Sequence, residues 1–168
     1  MSETCNCALH GEHGGVAESM DEMEFARSIH GASARGDLPR VLRLLAADPA
    51  LATQYDAYGY LALHYAARLN RRDIASALLD AAAATAKSST ASCLVTAPTA
   101  TPAKTTALHR AVMARSPEML AMLLSRANDG GVVDGVRDGD GKSVRECIDA
   151  VQSAADRDAL RHVLHPKK

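Results

Sequence analysis

One phrase recurs along this chain and limits its folding more than any other feature. Ala62-Leu63-His64-Tyr65-Ala66 returns as Ala107-Leu108-His109-Arg110-Ala111, with a weaker copy at Ile29-His30-Gly31-Ala32. His30 and His64 lie 34 positions apart, and His64 and His109 lie 45 apart. A period of about 33 residues is the mark of a stacked array in which no unit buries its apolar face alone. The extra residues of the second interval fall in 84–106, which is rich in Ala, Thr, Ser and Pro, with Pro98 and Pro102 close together. That stretch reads as a mobile insertion looping out between two repeats.

Each phrase is followed by a second segment with apolar residues three and four apart. These are Val41, Leu42, Leu44 and Leu45, then Ile74, Ala77, Leu78 and Leu79, then Met119, Leu120, Met122, Leu123 and Leu124. That spacing gives one buried helix face. Between the two helices of a unit stands a short break. Gly36 and Asn70 suit a left-handed helix end. In the third unit Ser116 suits a cap and Pro117 the first helical position. The apolar fraction of 47% is dominated by Ala and Leu, with one Phe and no Trp. Such a composition favours helices in close contact.

This helix–turn–helix grammar resembles the ankyrin-repeat family, whose usual phrase is Gly-x-Thr-Pro-Leu-His-x-Ala-Ala. Here it stands as Gly59-Tyr60-Leu61-Ala62-Leu63-His64-Tyr65-Ala66-Ala67 and as Lys104-Thr105-Thr106-Ala107-Leu108-His109-Arg110-Ala111. A fourth, degenerate copy, Gly141-Lys142-Ser143-Val144-Arg145-Glu146-Cys147-Ile148, resembles the terminal form in which Glu replaces His. The resemblance implies an all-α ankyrin-repeat solenoid of two clear and two degenerate repeats. It spans about 22–164, with the insertion at about 84–106 and a last helix near 153–164 bearing Leu160, Val163 and Leu164. Residues 1–21 read as an acidic, disordered leader and 165–168 as a basic tail. The second unit departs from the family at Leu61 and Ala62, and the third carries Lys104 at the loop glycine. Without the usual Thr hydroxyl at Leu61, the second unit is expected to be less rigid.

The net charge is −1, so nothing general points to nucleic acid. Residues 1–24 hold six acids and no Lys or Arg, which leaves a mildly basic body. Four cysteines do not make a disulfide framework, and no apolar run reaches membrane-spanning length. The N-terminus has the pattern of neither a secretory signal nor a mitochondrial transit peptide. The expectation is a cytoplasmic protein, with nucleus and cilium left open, that meets neither nucleic acid nor membrane.

The aligned histidines read as structural, because one repeat of spacing is too far for a shared ion with bonds of about 2.0 Å. The leader Cys5-x-Cys7-x-x-His10-x-x-His13 gathers four potential ligands within nine residues, and zinc takes four such donors in a tetrahedron. Zinc bound there is the alternative to a chain without cofactor. Two patterns fail on inspection. Asp138-Gly139-Asp140-Gly141 lacks the first acid and the closing Glu of a calcium loop. Gly141-Lys142-Ser143 lacks the first glycine and the preceding strand of a phosphate loop. Cys147 falls on an apolar helix position and reads as a small buried hydrophobe. Cys93, in the insertion, has no recognisable base, and no nucleophile–base set can be assembled.

What remains is a surface. The resemblance implies binding through hairpin tips and the inner face of the first helices, which maps to Tyr55, Tyr58, Tyr60, Tyr65, Lys104 and Arg110. All four tyrosines of the chain stand within residues 55–65. Tyrosine is enriched in contact hot spots. The alternative is that Tyr55 and Tyr65 pack between repeats. The expected function is a non-catalytic adaptor or small subunit that binds a protein partner.

Overall fold

The computed structural model describes residues 20–85, 90–127 and 131–164. The Cys5, Cys7, His10 and His13 group and the 165–168 tail lie outside them. An entry helix α1 (Met20–Arg27) leads into four helix pairs. The pairs are α2 (Ile29–Arg35) with α3 (Leu38–Ala47), and α4 (Ala62–Arg68) with α5 (Arg72–Thr85). After α6 (Thr90–Thr96) come α7 (Ala107–Met113) with α8 (Pro117–Ala127). A short α9 (Val132–Gly135) precedes α10 (Val144–Asp149) and α11 (Ala154–Leu164).

The first helices α2, α4, α7 and α10 pack in sequence as an inner layer, and the second helices form an outer layer behind them. Their facing positions are small: Ala32, Ala62, Ala66, Ala107 and Ala111 are all fully buried. Alanine lets two helix backbones approach closely while keeping helix propensity. Leu63, Ile74, Leu78, Leu79, Leu108, Leu120, Leu123 and Ile148 fill the space between layers. Burying each such side chain contributes about 1.5–3 kcal/mol.

The breaks recur at equivalent places in three units each. Gly36, Asn70 and Arg115 take positive φ after the first helix, and Gly59, Lys104 and Gly141 take it at the hairpin tip. The backbone path is therefore the same whether or not the residue is glycine. Lys104 and Arg115 hold that path at a steric cost. Ser116 caps α8 by accepting from Met119 N–H, and its hydroxyl donates to Asn70 Oδ1 of the preceding unit. In the fourth unit Ser143 and Glu146 form a reciprocal cap, each accepting the other's backbone N–H.

The described part of the stretch 84–106 differs from the loop expected of it. Residues 90–96 are helical, and Ala91, Leu94 and Val95 of α6 are buried. The helix rests on α5 and α8, and the Ser92 hydroxyl donates to the Ala127 carbonyl. Residues 97–106 are an ordinary hairpin of the third unit, hydrogen-bonded from Ala100 N–H to Gly59 O and from Thr99 N–H to Thr105 O. The low-complexity composition concealed a helix whose stability comes from its neighbours.

Candidate functional site: an aromatic row on the inner face

Each repeat histidine reaches forward to the next hairpin. Nε2 of His30 donates to Gln54 O at 2.9 Å, that of His64 to Ala97 O at 3.0 Å, and that of His109 to Lys142 O at 3.2 Å. His64 Nδ1 accepts from Leu61 N–H at 3.0 Å, so its ring proton is fixed on Nε2. The backbone half of the cap thus survives the loss of the family's Thr, and the Leu61 side chain joins the core. Burial depresses the His64 pKa to about 4, against smaller opposing effects of the Ala97 carbonyl and Asp56. Burial lowers that of His109 too. The His64 and His109 rings are neutral staples between units.

The hairpin before α4 is organised by Asp56, which sequence reasoning passed over. Its Oδ1 accepts from Tyr58 N–H at 2.9 Å and Tyr60 N–H at 2.8 Å, and its Oδ2 accepts from the Tyr65 hydroxyl at 2.7 Å. An Asp that folds back on the amides two and four residues on is the ordinary signal of such a turn. Burial and the Asp56 carboxylate push the Tyr65 pKa up, so that phenol stays protonated.

From this hairpin a row of side chains crosses the inner face. The Phe25 ring lies edge-on to Tyr65 at 5.5 Å between centroids, Tyr65 meets Tyr60 at 5.6 Å, and the Arg110 guanidinium sits 4.6 Å from the Tyr60 centroid. Aromatic pairs at these separations contribute about 0.5–1.5 kcal/mol beyond their area. Arg110 is only 8% exposed, and its Nε donates to Thr105 Oγ1 at 3.3 Å. None of the ion pairs among the described residues includes it.

Of the residues expected at a contact surface, Tyr60, Tyr65 and Arg110 are thus brought together. Tyr55 and Tyr58 stand beside them at 47% and 60% exposure. Tyr55 also spans two units through its hydroxyl, which donates to Pro98 O at 2.9 Å. Both line an open groove of about 520 Å³ whose apolar walls include Phe25, Ile29, Leu44 and Leu51. Lys104 stands apart and exposed at the tip of the next hairpin.

The family model described as ankyrin repeats (3 copies) matches residues 29–134. The chain belongs to the ankyrin-repeat family. Ankyrin repeats are protein-interaction modules. Two relatives carry the name ankyrin repeat domain-containing protein 39. The human protein is 42% identical over 71 residues, 41% of this chain and 37% of that protein. The bovine protein is 50% identical over 56 residues, 32% of this chain and 29% of that protein. The chain matches well under half the length of these relatives. In the crystal structure of the yeast ribosomal protein Rps3 in complex with its chaperone Yar1, one chain superposes with a TM-score of 0.67. It is 18% identical, covering 83% of this chain and 90% of that chain. This likeness shows the ankyrin fold. Among the described residues no helix is long and apolar enough to cross a membrane.

Proposed function

We propose that this ankyrin domain is a non-catalytic adaptor that binds a protein partner through its inner face, at the aromatic row and the adjoining groove. One observation carries the reading: Phe25, Tyr65, Tyr60 and Arg110 align across successive units beside the exposed Tyr55 and Tyr58. Large apolar rings with polar tips, set on rigid elements, suit a contact that orders little on binding. Arg110 is fixed by Tyr60 and Thr105 but has no carboxylate counterpart among the described residues. The favoured partner therefore presents an acidic side chain next to an apolar one that enters the groove. A buried charge-assisted pair of that kind gives orientation as well as affinity.

The test is cross-linked affinity capture of the full chain from its native cells, followed by mass spectrometry. Tyr58→Ala and Arg110→Gln are compared with Leu42→Ser, an exposed position on α3. A stoichiometric partner lost in the first two and kept in the third supports the reading. A partner retained by both inner-face variants would overturn it.

A further inference from the structure

The fourth unit repeats the Asp56–Tyr65 arrangement with different chemistry. Counting from the left-handed tip residue, Asp138 stands where Asp56 does, and Cys147 where Tyr65 does. The geometry is copied in detail. Asp138 Oδ1 accepts from Asp140 N–H at 3.0 Å and Lys142 N–H at 2.9 Å, while Oδ2 faces Cys147 Sγ at 3.9 Å. His109 of the preceding unit completes the group. One ligand atom from each of His109, Asp138 and Cys147 lies within 4.8 Å of the others.

We propose that His109, Asp138 and Cys147 form a zinc-binding site between the third and fourth repeats. Imidazole, carboxylate and thiolate are all zinc donors, with bonds of about 2.0–2.3 Å. Tetrahedral bonds of that length hold donors roughly 3.5 Å apart, so side-chain rotation closes the remaining distance. Three protein donors leave the fourth place to water. Binding releases the Cys147 thiol proton to solvent, as coordination of a thiol requires. Thiolate and carboxylate then balance the charge of the ion.

His109 can serve where His64 cannot. Coordination through Nε2 needs that nitrogen free of hydrogen and Nδ1 protonated. At His64 the Leu61 amide, a donor, faces Nδ1, so the proton stays on Nε2. At His109 the Thr106 hydroxyl lies 2.9 Å from Nδ1 and can accept as well as donate, while the Thr106 amide lies farther away at 3.4 Å. The bond from His109 Nε2 to Lys142 O, at 3.2 Å, is the longest of the three staples and the easiest to exchange. Thr106 thereby takes the orienting role that a hydrogen-bond partner has behind a metal-bound imidazole. Among the described residues the chemistry is also confined to this interface. Beside His64, the corresponding places in the next unit are Thr101 and Arg110, and Asp56 next to His30 is paired with a tyrosine. A surface groove lined by Val112, Met113, Asp138, Lys142, Cys147 and Val151 gives an ion a way in.

The test is titration of the full chain with cobalt(II) alone, then zinc, under a reductant that contains no thiol. Cys5→Ser plus Cys7→Ser is the background, so that the leader contributes no thiolate. The expected result is a near-ultraviolet thiolate-to-cobalt absorption with intense visible bands of a four-coordinate ion, bleached by zinc. It is retained in Cys93→Ser and lost in both Cys147→Ala and Cys147→Ser, with the helical circular dichroism unchanged. Thr106→Val keeps the thiolate absorption but weakens cobalt binding about 10–100-fold. Leu61 shows that this place accepts an aliphatic side chain. No thiolate absorption in the background protein, or one that survives Cys147→Ala, would overturn the proposal.

Discussion

The Tyr65 hydroxyl donates to Oδ2 of Asp56 at 2.7 Å, while the other oxygen of that carboxylate holds the hairpin amides of Tyr58 and Tyr60. One carboxylate thus fixes both the turn and the aromatic row. Tyr65→Phe keeps the ring contacts with Phe25 and Tyr60 and removes only this bond. A hydrogen bond to a charged group is worth about 1.5–3 kcal/mol, reduced here because Tyr65 is half-buried. We expect a loss of about 1–2 kcal/mol in urea unfolding, with an unchanged m-value.

His64 makes stability depend on pH. Its folded pKa of about 4 lies below the ordinary value of 6.5, so the unfolded chain binds the proton more readily. Stability from this residue is fully present above pH 6.5 and declines as pH falls toward about 4. At about 1.4 kcal/mol per pKa unit, the loss is on the order of 3 kcal/mol. Urea midpoints measured from pH 7.5 downward should fall through that window. His64 ring resonances that titrate near the ordinary value in the native protein would contradict the assignment.

Lys104 takes a φ of 42° at a position that is glycine in the second and fourth units. A non-glycine residue there carries a steric cost of about 1–2 kcal/mol, partly offset by the greater unfolded-state freedom of glycine. Lys104→Gly should therefore raise stability by about 0.5–1 kcal/mol. Lys104→Ala, which retains a Cβ, should leave the thermal midpoint nearly unchanged.

Ser33 is fully buried in α2, and among the described residues its hydroxyl has no hydrogen-bond partner. Burying an unmatched hydroxyl costs about 1–3 kcal/mol. Ser33→Ala removes the group and fits the helix. Chemical denaturation should show a gain of roughly 1 kcal/mol; a loss would mean that the hydroxyl is satisfied in solution.

Much of this architecture is written in local spacing. His30, His64 and His109 mark the start of the inner helices, and Gly36 and Asn70 mark their ends, because those conformations depend on single residues. Arg115 and Lys104 adopt the same conformations without the usual residue types, so only the alignment of units reveals them. Helix α6 was illegible for another reason. Its sequence TASCLVT has little intrinsic signal, and Ala91, Leu94 and Val95 become a buried face only once α5 and α8 are in place. On the inner face, the four tyrosines stood out by composition. Asp56 did not, since its importance lies in three hydrogen bonds that converge on one carboxylate. The equivalence of Tyr65 and Cys147 is present in the register, but a phenol and a thiol look unrelated until both are seen facing an aspartate.

Every histidine staple points the same way: the ring belongs to one unit and the carbonyl it bonds belongs to the next. A chain emerging from the ribosome N-terminus first therefore completes each unit only after the following hairpin has been synthesised. Until then an imidazole stands on a finished helix with its acceptor still untranslated. Consolidation of the array trails synthesis by one hairpin, and the fourth unit, with Glu146 turned back onto its own cap, is where that debt stops.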